Sequence, residues 1–145
     1  MRESSRQPFG NMRFRLEIEK MSETGAVEVV FPEARLTVLP RQKPAVEYGV
    51  LTIRRGVTRS REWYDWWDSA RASASAPSRS VTVVLLDGAG ADAMRWTFDD
   101  TTPKGYLLSP LDALGSAPLI ESLELAVGGF AASFKSPRTT RSSRN

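Results

Sequence analysis

Met12-Arg13-Phe14-Arg15-Leu16-Glu17-Ile18-Glu19 alternates apolar and charged residues without a fault. A period of two puts Met12, Phe14, Leu16 and Ile18 on one face of an extended chain and every charge on the other, an amphipathic strand with one wet face. The same reading extends outward. Residues 27–31 are a β-branched run ended by Pro32, and Ala34, Leu36 and Val38 then alternate with Glu33, Arg35 and Thr37. That pattern predicts two short strands, or one bent at the proline. A basic loop bracketed by Pro40 and Pro44 leads into a strand over 46–54, broken at Arg55-Gly56. Strands over 81–86 and 94–98 read as a hairpin about Asp87-Gly88-Ala89-Gly90. Residues 99–118 read as turn-rich with a short extended piece near Tyr106, and 119–127 as the final strand, closed by Gly128-Gly129.

One segment breaks the pattern of two. Trp63, Trp66, Trp67 and Ala70 fall at i, i+3, i+4 and i+7, one apolar stripe of a helix over about 60–71. Thr58 or Ser60 can cap its start, and Glu62 suits the positive end of its dipole. The expected fold is therefore mainly β, an antiparallel barrel or sandwich of about seven or eight strands with one flanking helix, because so many strands must hide their edges. Residues 1–11 lack periodicity and read as a loose arm, 12–134 as the β domain, and 135–145 as a disordered basic tail rich in Ser, Thr, Arg and Pro.

Composition narrows the chemistry. Hydrophobic residues at 41% and charged residues at 26% are ordinary for a globular domain. Cysteine and histidine are both absent, which removes disulfides, thiolate nucleophiles, Cys/His zinc sites and the commonest general base. No apolar run approaches the roughly 20 residues of a membrane helix, and no secretory signal is read at the start. The net charge of +3 is a property of the tail. Lys135, Arg138, Arg141 and Arg144 account for four of the 20 basic residues, leaving a near-neutral body that does not suggest a basic nucleic-acid-binding face.

Four features could carry chemistry. Asp99-Asp100 is a carboxylate pair, but adjacent strand residues point to opposite faces and no third ligand stands near. Gly88 and Gly90 lack the following helix and lysine of a phosphate loop, and a hairpin turn explains them better. Trp63, Trp66 and Trp67 could stack sugars or bases, though helical spacing favours sealing the helix onto a sheet. Glu121 shares strand parity with Leu119, Leu123 and Leu125, so its carboxylate points with leucines. Either that face is only half buried, or the charge meets a partner at a subunit contact, with Arg54 and Arg55 as candidates. No catalytic residue, cofactor or metal site is expected.

The order of segments resembles the tail tube protein family of contractile phages and extracellular contractile injection systems. Asn11–Glu19 looks like its opening strand and Val27–Glu33 like its second. Leu51–Thr58 followed by Trp63–Trp67 looks like its strand-to-helix signature, and Val81–Asp87, Arg95–Phe98 (containing Trp96), Leu111–Ala113 and Ile120–Leu125 follow in order. The likeness covers about residues 9–130. It implies a structural subunit without enzymatic activity, in which Trp96, the tryptophans of the helix, Glu121 and Arg54 or Arg55 serve packing or subunit contacts. It further implies hexameric rings of the chain with itself, stacked inside a sheath on a baseplate, around a lumen for cargo or phage DNA. Such a protein would be made in the bacterial cytoplasm, join a virion tail or a released particle, and need no membrane anchor. Two departures stand out. The stretch between Phe31 and Leu51 is shorter than the family's Gly-containing hairpin, and Thr101-Thr102-Pro103 replaces an aromatic-proline pair. These leave open a repeating ring or a specialised ring joining tube to baseplate. A monomeric β-barrel module binding a small ligand or protein is the rival reading.

Overall fold

The computed structural model describes residues 8–10, 13–22, 25–73 and 75–134. It contains nine strands and one helix among the described residues: β1 (Phe14–Ile18), β2 (Ala26–Val30), β3 (Ala34–Thr37), β4 (Ala45–Tyr48), β5 (Leu51–Gly56), α1 (Glu62–Ala72), β6 (Arg79–Leu86), β7 (Asp92–Leu108), β8 (Ile120–Ala126) and β9 (Gly129–Phe134). Every strand pairing is antiparallel.

The alternating stretch behaves as its period requires. Leu16 and Ile18 are buried, and Arg15 and Glu17 lie on the opposite face. Met12 falls outside the described residues. β1 pairs β6 in the register Leu16↔Val83 and Ile18↔Val81, which aligns their apolar faces. β6 is apolar on both sides, and Val84 is wholly buried on the outer one. Its register neighbours there are Arg15 and Arg95, whose aliphatic stems shelter it.

The long strand β7 organises everything else. Its first half pairs β6 and β9, and its second half pairs β8. Two four-stranded sheets therefore share one strand: β1-β6-β7-β9 and β7-β8-β5-β2. The turn from one sheet into the other falls at Asp99–Thr101, where Asp100 adopts a left-handed φ of 52° and the pairing register shifts. Gly128 lies against this bend, where a Cβ would come within 2.8 Å of the Asp100 Cβ, so only glycine fits without movement. The sheets face each other around a core of Leu16, Ile53, Val81, Phe98, Leu123 and Leu125 without closing into a barrel.

Four sequence expectations need correction. Residues 99–118 are not mainly turns, because the ladder to β8 carries β7 on to Leu108 despite Pro103. The stretch 46–54 is two strands, interrupted at Gly49-Val50, where Gly49 N donates to Glu33 O at 2.8 Å. Gly128-Gly129 does not end the sheet; the chain turns there and returns as β9 along β7. Helix α1 is capped differently from expectation too. The N-cap residue is Arg61, and the Ser60 hydroxyl accepts from Glu62 N at 3.3 Å. Glu62 itself ties the helix to the turn after β1, accepting from Ser22 Oγ at 2.8 Å. The arm and tail read from composition fall largely or wholly outside the described residues.

A candidate assembly surface and the buried ion pair beneath it

The inner row of the second sheet runs Leu51, Ile53, Arg55 on β5 and Leu125, Leu123, Glu121 on β8, with Arg55 opposite Glu121 in register. Parity thus forces two opposite charges into an apolar row. Their side chains are 6% and 4% exposed, and Arg55 Nε donates to Glu121 Oε2 at 2.6 Å. Glu121 Oε1 accepts from the Tyr106 hydroxyl on β7, also at 2.6 Å. Above them the Arg55 guanidinium lies 4.5 Å from the ring centroid of Trp63, and Tyr64 meets Tyr106 edge-on at 5.6 Å. Burial, followed by the neighbouring Glu121 carboxylate, pushes the Tyr106 phenol up to about 12.

This arrangement clamps β5, β7, β8 and α1 together. The carboxylate is engaged at both oxygens and lies beneath the rings of Trp63 and Tyr64. Of the two arginines next to each other on β5, only Arg55 faces inward. Arg54 lies on the other face and pairs Glu28 of β2 at 3.0 Å, both about half exposed. Sequence parity located Glu121 correctly among leucines; choosing Arg55 over Arg54 needs the β5–β8 register.

Trp63 and Trp66 are buried at 0% and 2% exposure, and Trp67 is partly buried against the same core. All three turn inward, so the helix presents no aromatic platform to solvent. Trp96 lies on the inner face of the first sheet, in edge contact with Phe31 at 4.9 Å. Asp99 and Asp100 sit at the β7 bend, where Asp100 accepts from Ser78 Oγ at 3.3 Å. Asp87 fixes the β6–β7 turn by accepting from Ala89 N and Ala91 N, with Gly90 at φ 85°. Among the described residues no three acidic side chains gather as a metal site, and no helix is long and apolar enough to cross a membrane.

Sequence reading missed an ion network on the wet face of the first sheet. Arg15 contacts Glu17 at 2.8 Å and Asp92 at 3.3 Å, and Arg95 reaches the same two carboxylates. The alternation of Arg13, Arg15 and Glu17 hinted at it, but the cross-strand partners come from β7.

What the fold leaves open is its edges. β2 and the 102–108 half of β7 border the second sheet; β1 and β9 border the first. Beside β2 the two sheets splay into an apolar mouth of about 510 Å³, lined by Phe9, Phe14, Val29, Phe31, Leu85 and Trp96 among others. Among the described residues the β3–β4 hairpin pairs only with itself, and it exposes Leu36 and Val46 at 62% and 48%. It occupies the stretch between Phe31 and Leu51.

The fold is similar to that of several solved structures. One is a chain of the sheath–tube complex of an extracellular contractile injection system (PVC) in its extended state, with a TM-score of 0.73 at 16% identity over 92% of this chain and 97% of that one. Another belongs to the baseplate of the anti-feeding prophage, with a TM-score of 0.66 at 18% identity over 88% and 97%. A third is Hcp1 from Flavobacterium johnsoniae, with a TM-score of 0.62 at 14% identity over 84% and 95%. No curated protein matches the sequence. Likenesses this distant establish the fold, and a family model supplies the rest: the T4-like virus tail tube protein gp19 model matches residues 10–131. The chain belongs to that tail tube protein family.

Proposed function

We propose that this chain is a structural, non-enzymatic subunit of the inner tube of a contractile phage tail or phage-tail-like injection particle, and that it builds rings of itself, hexameric as the resemblance implies. The observation that carries the reading is the pair of free edges on the second sheet. β2 and residues 102–108 of β7 lie on opposite sides of that sheet and have no second strand neighbour among the described residues. An exposed edge is a template for pairing, and a head-to-tail contact between two different edges gives a ring where its rotation closes. Pairing β2 of one copy with the 102–108 segment of the next would satisfy both and make one continuous sheet around a channel. Stacked rings, a surrounding sheath and a baseplate are the partners this role requires, and a lumen would hold cargo or DNA. Particle assembly in the bacterial cytoplasm would then precede release.

The buried Arg55–Glu121–Tyr106 cluster supports the role from within. It ties the 102–108 segment of β7, one side of the proposed seam, to the interior strands β8 and β5, and so bears on subunit contacts through that edge. The ion pair at Arg54 and Glu28 lies on the outer face of the same sheet. Sedimentation velocity and negative-stain imaging of the purified chain across a concentration series test the reading. Rings or short tubes are expected. A chain that stays monomeric at every concentration is instead a solitary binding module, and the tube reading fails.

A further inference from the structure

Resting on that ring reading, we infer that the loop joining β7 to β8 is a docking element, and that its leucines seat in the apolar mouth beside β2 of the next copy. The loop is built to present them. Ser109 N donates to Ile120 O at 2.9 Å and Ile120 N to Ser109 Oγ at 2.9 Å, which closes its neck. Asp112 then fixes its tip, its carboxylate accepting from Leu114 N at 3.0 Å and its carbonyl from Gly115 N at 3.0 Å. On this fixed frame Leu111 and Leu114 stand 85% and 98% exposed, and Leu108 55%. A loop held in shape by its own hydrogen bonds loses little entropy on docking, so large apolar side chains held outward in it suit a contact surface.

The receiving surface is on the same chain, but a copy cannot fill its own. In register Leu108 lies opposite Glu121, Glu121 opposite Arg55, and Arg55 opposite Ala26 of β2. The loop and the mouth therefore flank opposite edges of the second sheet, about 14 Å apart at the usual strand spacing. A contact between two different surfaces on opposite edges is head-to-tail, and it continues the seam proposed for β2 and β7. Charge favours the match as well. Between Leu107 and Leu119 the only charge is Asp112, held at the loop tip, and among the described residues the only charge lining the mouth is Glu28, already paired with Arg54. Joining the two strands no unpaired charge in an apolar contact, which is the usual obstacle to such an interface.

The chain has no cysteine, so cross-linking tests the contact directly. Leu114→Cys and Val27→Cys are made separately, Val27 being 58% exposed on β2, and mixed in equal amounts under mild oxidation. A covalent dimer holding one copy of each is expected, and Ser69→Cys on the outer side of α1 should give none with Val27→Cys. In parallel Leu114→Asp should melt with the parent, because its side chain is almost wholly exposed, yet assemble about tenfold more weakly or worse. Particles that form normally with Leu114→Asp and show no mixed dimer would overturn the docking while leaving the tube reading intact. A parent that never assembles overturns both.

Discussion

Replacing Glu121 by Gln probes the one buried charge pair among the described residues while keeping the side chain's shape. Arg55 and Glu121 touch at 2.6 Å with exposures of 6% and 4%, so little solvent is available to rescue a lone charge. Breaking such a pair costs about 3–5 kcal/mol. The cost is softened because the glutamine oxygen can still accept from Tyr106 or Arg55. The expected loss is about 2–4 kcal/mol, roughly 10 °C in Tm for a domain of this size. Urea unfolding followed by tryptophan fluorescence, at concentrations too low for assembly, measures it. Glu28→Gln is the internal control, since the half-exposed Arg54–Glu28 pair should contribute at most about 1 kcal/mol. The double variant Arg55→Met/Glu121→Leu should recover most of the loss, because it leaves no charge behind. Sedimentation should also show weaker ring formation by Glu121→Gln. If that variant unfolds like Glu28→Gln and assembles like the parent, the pair is not holding the protomer together and the reasoning about the seam fails with it.

Tyr106 titrates at about 12 in the folded chain against an ordinary value of 10.0, so folding favours its protonated form. The corresponding stability is complete below pH 10 and is lost as pH rises from about 10 to 12; Tyr106→Phe should flatten that part of the pH–stability curve, and an unchanged curve would contradict the buried contact. Trp66→Ala should cost about 3–5 kcal/mol by emptying space between α1 and the sheets, read as a drop in urea midpoint; a melt within a degree or two of the parent would mean the helix face is not packed.

The residues themselves determined what depends on local period. Alternation at Phe14, Leu16 and Ile18 set a strand with one wet face, the spacing of Trp63, Trp66 and Trp67 set the helix, and the absence of His and Cys stripped away most chemistry. The parity of Glu121 with Leu123 and Leu125 was equally legible, since direction along a strand is fixed by counting. Tertiary structure decided whatever depends on which strands meet. β7 runs on through Pro103 because β8 supplies its ladder, and β9 forms after two glycines because β7 offers an edge, neither of which local propensity encodes. The choice of Arg55 over Arg54 as the partner of Glu121 is a matter of register, the recruitment of Tyr106 follows from that continued ladder, and a register is set by the pairing of distant segments that no single window of sequence contains.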